Sequence, residues 1–334
     1  MRKLILLFTI FISLSSFSQE RLLTKKIVYK INVTDNKVRQ LAQKDSIEYN
    51  YIVNKRFFWE AMDGLISDLK SKKLYLRTFN KDSVVWDSMI NNLTKQLNAI
   101  DLKKYSKKDI EKVLENEIRS IKFMEEWTYL PETMMINKKI IAYCPVIERD
   151  SVTLVDEELK AVTSFAFDLG WIWQNDVKPS NDTLLLARNL QYTMPIYNPT
   201  PYRWWESNLE AEYSIPFFDA LIEKADSRQI LCYESPDAVE PFSKSELDKR
   251  KKHSQTVSII QNIGEDNEIE TDTIITLTYN SDDIDHLRFG EQILYDKKSH
   301  NFIKSVNYYS PIIRIFTSNN IFIGFYPLYY IRKQ

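Results

Sequence analysis

A stretch from the middle of the chain returns near its end. "FMEEWTYLPETMMINKKIIAYCPVI" (Phe123–Ile147) lies over "FGEQILYDKKSHNFIKSVNYYSPII" (Phe289–Ile313) without a gap. Phe123 falls on Phe289, Glu125 on Glu291, Tyr129 on Tyr295 and Lys138 on Lys304. Further on, Tyr143, Pro145 and Ile147 meet Tyr309, Pro311 and Ile313. Unrelated segments of this length share about one or two residues at ordinary amino-acid usage. The identities therefore point to an internal duplication, which limits the available folds more than any composition figure does.

Each copy reads as a β-hairpin. Alternation along a strand puts Phe123, Glu125, Trp127 and Tyr129 on one face. With "LPET" (Leu130–Thr133) and "DKKS" (Asp296–Ser299) as the loops, Glu125 faces Lys138 and Glu291 faces Lys304. Such cross-strand ion pairs are worth about 0.2–1 kcal/mol each and help to fix register. Upstream, "GLISDLKSKKLYLR" (Gly64–Arg77) lies over "ALIEKADSRQILCY" (Ala220–Tyr233), a helix running into a strand both times. Apolar residues at three-and-four spacing predict helices over 55–72 and 82–100. Ser106 and Ser243, each with an acid three residues on, open two more as capping boxes. The expected class is α+β: two related helix–strand–helix–β-hairpin units with antiparallel sheets. They span residues 19–160 and 161–334. The proline-rich connection 175–202 lies between them, and its "DTLLLARNLQYTM" reads as a strand or a short helix. The acidic "GEDNEIETD" (Gly264–Asp272) reads as a solvated loop.

Residues 1–18 read as a secretory signal peptide: Arg2 and Lys3, the short apolar run Leu4–Leu14, then small residues up to Ser18. Cleavage there leaves 43 basic against 46 acidic residues, from totals of 45 and 46. That balance argues against a nucleic-acid partner, which needs a basic surface. No further run approaches the roughly 18 apolar residues of a membrane helix, so the mature protein is expected to be exported and not membrane-spanning. Cys144 and Cys232 sit in apolar strand-like runs and read as buried thiols, with a bridge between them left open. The five glycines are scattered, which removes phosphate-cradling loops.

Chemistry-bearing patterns are few. "DDIDH" (Asp282–His286) brings carboxylates and an imidazole together, but Asp commonly serves turns, and no metal or other cofactor is expected. Glu125 and Glu291 occupy equivalent places in a repeat, which favours a structural ion pair over an acid–base dyad. No hydrolase or metalloprotease motif appears, so the chain does not read as an enzyme. Trp171, Trp173, Trp204 and Trp205 cluster around the proline-rich stretch. They read either as sheet core or as an exposed platform for a protein partner or a glycan.

The order of pieces resembles the GldN (PorN) family of gliding-motility and type IX secretion proteins from Bacteroidetes. "LISDLKSKKLYLRTF" supplies a helix-to-strand element, and "EEWTYLPETMMINKKIIAYCPVI" the aromatic strand, turn and "I-x-x-Y-C-P-V" ending. "LGWIWQND" (Leu169–Asp176) is similar to the aromatic strand that follows in the family, and "SIPFFDALIEKADSRQI" to its later helix. The resemblance implies a non-enzymatic periplasmic component associated with the outer membrane. It would assemble into a ring with other secretion proteins, notably a GldK-like outer-membrane lipoprotein. The alternative is a periplasmic glycan- or ligand-binding module using exposed Trp and Tyr.

Overall fold

The computed structural model of the chain describes residues 19–32, 54–101, 104–155, 158–175, 178–196, 209–262, 268–316 and 322–333. The signal segment and Trp204 and Trp205 lie outside them. The fold is mixed α and β, with five helices among the described residues and antiparallel sheets. In chain order the elements begin with strand β1 (Arg21–Asn32), helix α1 (Lys55–Lys70), the short strands β2 (Leu76–Arg77) and β3 (Ser83–Val84), and helices α2 (Trp86–Asp101) and α3 (Lys107–Glu117). Strands β4 (Ile118–Tyr129), β5 (Ile136–Val155), β6 (Glu158–Asp168), β7 (Ile172–Trp173) and β8 (Thr183–Pro195) follow. Then come α4 (Ala211–Asp226), α5 (Lys244–Arg250), β9 (Lys252–Asn262), β10 (Glu268–Thr278), β11 (Ile284–Asp296), β12 (Asn301–Phe316), β13 (Phe322–Pro327) and β14 (Ile331–Arg332).

Local signals account for the helices. α1 starts where the Asn54 side chain accepts from the Phe57 amide, and it buries Phe58, Met62, Leu65, Ile66 and Leu69 along one stripe. Both capping boxes form, Ser106 with Asp109 at α3 and Ser243 with Glu246 at α5. The strand expected after α1 shrinks to β2. The acidic segment read as a loop is in part strand, since β10 begins at Glu268.

Two five-stranded sheets hold the core. One has the order β1-β4-β5-β6 and the other β13-β12-β11-β8, with β7 added to β5 and β14 to β12. The strand within the proline-rich connection is β8, which pairs along β11. Residue 160 falls inside β6, which is paired with β5. The inner faces meet through aromatic edges: Trp127 on Phe289 at 5.2 Å, Phe123 on Phe302 at 5.4 Å and Tyr143 on Phe302 at 4.6 Å between ring centres. The Tyr143 hydroxyl donates to the His300 carbonyl at 2.8 Å, and the Tyr309 hydroxyl to the Met134 carbonyl at 2.7 Å. β9 and β10 pair over eleven positions as a separate two-stranded ribbon.

The expected hairpin registers are corrected by two residues. Trp127, not Glu125, lies opposite Lys138, and Ile293, not Glu291, lies opposite Lys304. Glu125 faces Ile140, and Glu291 faces Val306. The turns use more chain than a four-residue loop read from Leu130 or Asp296. Met134 and His300 take left-handed backbone at φ +55° and +56°, and the Met134 amide donates back to Leu130. A register shift follows in each hairpin, between Met124 and Glu125 and between Gly290 and Glu291. A slip of two keeps every side chain on its face, so the apolar pattern survives while the partners change.

Candidate functional site

The four matched charges meet at the centre of the molecule, in exchanged pairs. Lys138 Nζ lies 2.6 Å from Glu291 Oε1, and Lys304 Nζ lies 2.9 Å from Glu125 Oε1. Each pair therefore joins a strand of one sheet to a strand of the other. Lys304 is also 3.9 Å from the second Glu291 oxygen, and all four side chains are sealed from solvent.

Aromatic side chains complete the cluster. Tyr29 Oη donates to Glu125 Oε2 at 2.6 Å, and Trp127 Nε1 donates to the same oxygen at 2.7 Å. Lys138 donates to Tyr192 Oη at 2.8 Å and Lys304 to Tyr29 Oη at 2.9 Å, with the two phenols 3.1 Å apart. Lys138 stands 3.2 Å from the Phe289 ring centre and Lys304 3.5 Å from that of Phe123. β1 and β8 supply the tyrosines, each opposite a matched phenylalanine: Tyr29 opposite Phe123 and Tyr192 opposite Phe289. Sequence reasoning missed both tyrosines. The available signal was a Tyr within an apolar strand pattern in "IVYKI" and "LQYTM".

Burial sets the titration of these groups. It pushes the Lys138 ammonium down to about 8, against the pull of Glu291 and Glu125. For Glu125, burial favours the neutral acid, but Lys304, Lys138 and the Tyr29 hydroxyl outweigh it and hold the carboxyl below its ordinary range. Burial, then the neighbouring carboxylates, raises the phenols of Tyr29 and Tyr192. Two acids and two bases balance in charge, and their four side chains are out of contact with solvent. That arrangement suits holding two sheets together.

The remaining candidates fall elsewhere. Trp171 is only 7 % exposed, edge-on to Phe79 at 5.9 Å, so it belongs to the packed outer face of its sheet and is no open platform. Trp173 is half-buried, with the Lys81 ammonium 4.4 Å from its ring centre. Of the acidic turn, Asp283 accepts from the Asn280 amide, and His286 Nδ1 lies 2.7 Å from Asp285 Oδ1. Among the described residues no three metal-ligating side chains converge. His300 links the second hairpin turn to α1, with Nε2 2.9 Å from Asp68 Oδ2 and Nδ1 2.7 Å from Tyr295 Oη. Cys144 and Cys232 are buried and unpaired, and burial pushes both thiols up to about 12.

No helix among the described residues is long and apolar enough to cross a membrane. Comparison with known protein families finds no family model that matches this chain, and none of the curated proteins matches it.

Proposed function

We propose that the chain is a non-enzymatic structural subunit of the gliding-motility and type IX secretion apparatus. In this reading it is exported to the periplasm and held at the outer membrane by partners such as a GldK-like lipoprotein. The reading starts from the resemblance of the β4–β5 hairpin and its neighbours to the GldN family. The observation that carries it is the β9–β10 ribbon, eleven residue pairs forming a sheet of their own. A two-stranded ribbon is marginal in water, and its unpaired edges are templates for another chain. Such an element is consistent with stability gained from neighbours in an assembly. The sealed charge cluster supports the same reading, because its acids and bases are used up in joining the sheets.

The chain is further read as two related units, divided after β7. Matching details support this: the register shifts before Glu125 and Glu291, and the left-handed residues Met134 and His300. Lys72 and Arg228 are likewise left-handed, each just after a matched helix. A duplicated unit that exchanges Lys–Glu pairs with its copy has the logic of a two-fold interface within one chain.

The test is a photo-crosslinking residue at Thr271 in the ribbon, introduced into the full chain in its own envelope, with mass spectrometry of the products. Crosslinks to a GldK-like lipoprotein or other secretion-ring subunits are expected. Products confined to this chain alone, together with normal secretion and spreading in a deletion strain, would overturn the assignment.

A further inference from the structure

We infer that the groove walled by Trp59 and Trp86 binds a neutral oligosaccharide, a role that does not depend on the assembly reading above. The groove has a volume of about 560 Å³ and lies over the helical layer, where α1, α2 and α3 meet. Trp59, Asp63, Ser67 and Lys70 line it from one stripe of α1, Trp86 from the start of α2, and Glu111 from α3. From Trp59 to Lys70 the stripe runs about 16 Å at 1.5 Å per residue, room for a short oligosaccharide rather than a single ring.

The wall chemistry selects the ligand class. Both tryptophans are half-buried: one side of each packs on the core, and the groove takes the other. Trp59 is fixed edge-on to Phe58 at 5.5 Å. An indole held in this way offers a flat apolar platform to the C–H face of a pyranose. Asp63, Ser67, Lys70 and Glu111, which outnumber the apolar lining of Trp59, Ile66 and Trp86, supply acceptors and donors for ring hydroxyls beside the two indoles. An apolar ligand would strand these charges. A polyanion would meet two carboxylates and one ammonium. A cation is disfavoured because Lys70 already pairs with Glu111 at 2.9 Å. A neutral, hydroxyl-rich ligand satisfies every wall.

The test is calorimetric titration of the mature full-length chain with chitotriose, cellotriose and maltotriose. At least one is expected to bind saturably at one site, at least tenfold more weakly in Trp86→Ala. Ser67 is exposed on α1, so Ser67→Trp fills the groove without removing core packing. It should abolish binding while the circular dichroism spectrum and Tm stay unchanged. Absence of saturable heat with all three sugars would overturn the inference. So would unchanged binding in a folded Ser67→Trp variant.

Discussion

At the scale of single residues, the cluster turns on four charges that have no water to fall back on. Removing one partner of a buried ion pair leaves the other uncompensated, at a cost of about 3–5 kcal/mol. Glu291→Gln, which leaves Lys138 without its nearest carboxylate, is expected to lose that much in urea unfolding. Lys138 also makes a pH prediction. Its ammonium sits at about 8 in the folded chain against an ordinary 10.5, so between those values the unfolded chain holds more protons. Lys138 therefore contributes a rise in stability across that window, on the order of 2 kcal/mol from pH 8 to pH 10. The buried thiols of Cys144 and Cys232, at about 12 against an ordinary 9.0, oppose it because unfolded thiols ionise first. Toward pH 10 and above, the raised phenols of Tyr29 and Tyr192 add to that opposition, because unfolded tyrosines ionise first. Unfolding at pH 8, 9 and 10 should show the native chain gaining about that 2 kcal/mol relative to Lys138→Met as pH rises. The residues of this cluster were legible in the sequence, because Glu125, Lys138, Glu291 and Lys304 recur in register. Their partners were not. Alternation tells which face a side chain takes, but nothing local tells that the opposing face belongs to the other sheet.

At the scale of elements, caps and periodicity wrote themselves plainly into the sequence, while turns and pair sizes did not. Ser106→Ala and Ser243→Ala each remove a capping hydroxyl and should cost about 1 kcal/mol in thermal or urea unfolding. The hairpins show a subtler constraint. Met124 pairs with Ala142 in the first, and Gly290 with Tyr308 in the second, so large and small change places at matched positions. A methyl group at Gly290 would lie 2.1 Å from the Tyr308 ring and 2.6 Å from Asn189 Oδ1. Gly290→Ala is therefore expected to cost about 1–3 kcal/mol by overpacking. Adding Tyr308→Ala should recover part of that loss, a non-additivity that a double-mutant cycle measures. The two-residue error in hairpin register has a related origin. Left-handed Met134 and His300 lengthen the turns, yet neither is the glycine or asparagine that normally announces such a backbone.

At the scale of the whole molecule, the proposed structural role rests on the four buried charges joining the two sheets rather than performing chemistry. Of the segments that carry the family resemblance, "EEWTYLPETMMINKKIIAYCPVI" forms the β4–β5 strands facing this cluster, while the β9–β10 ribbon stands as a sheet of its own. The long-range pairing that produces this arrangement was beyond the reach of local pattern, since β1 and β8 each join a hairpin from far along the chain. Replacing a buried ion-pair set by apolar residues of similar volume is often neutral or stabilising. The most direct measurement combines Glu125→Leu, Lys138→Met, Glu291→Leu and Lys304→Met in one chain and follows its Tm together with complementation of a deletion strain. The structural role predicts a folded protein that loses no more than about 1–3 kcal/mol per buried donor left without Glu125, Trp127 Nε1 above all, and that still crosslinks to its envelope partners and restores secretion. A variant that keeps its fold and partner crosslinks but fails to restore secretion would contradict it, because the charges would then be doing chemistry that architecture alone does not require.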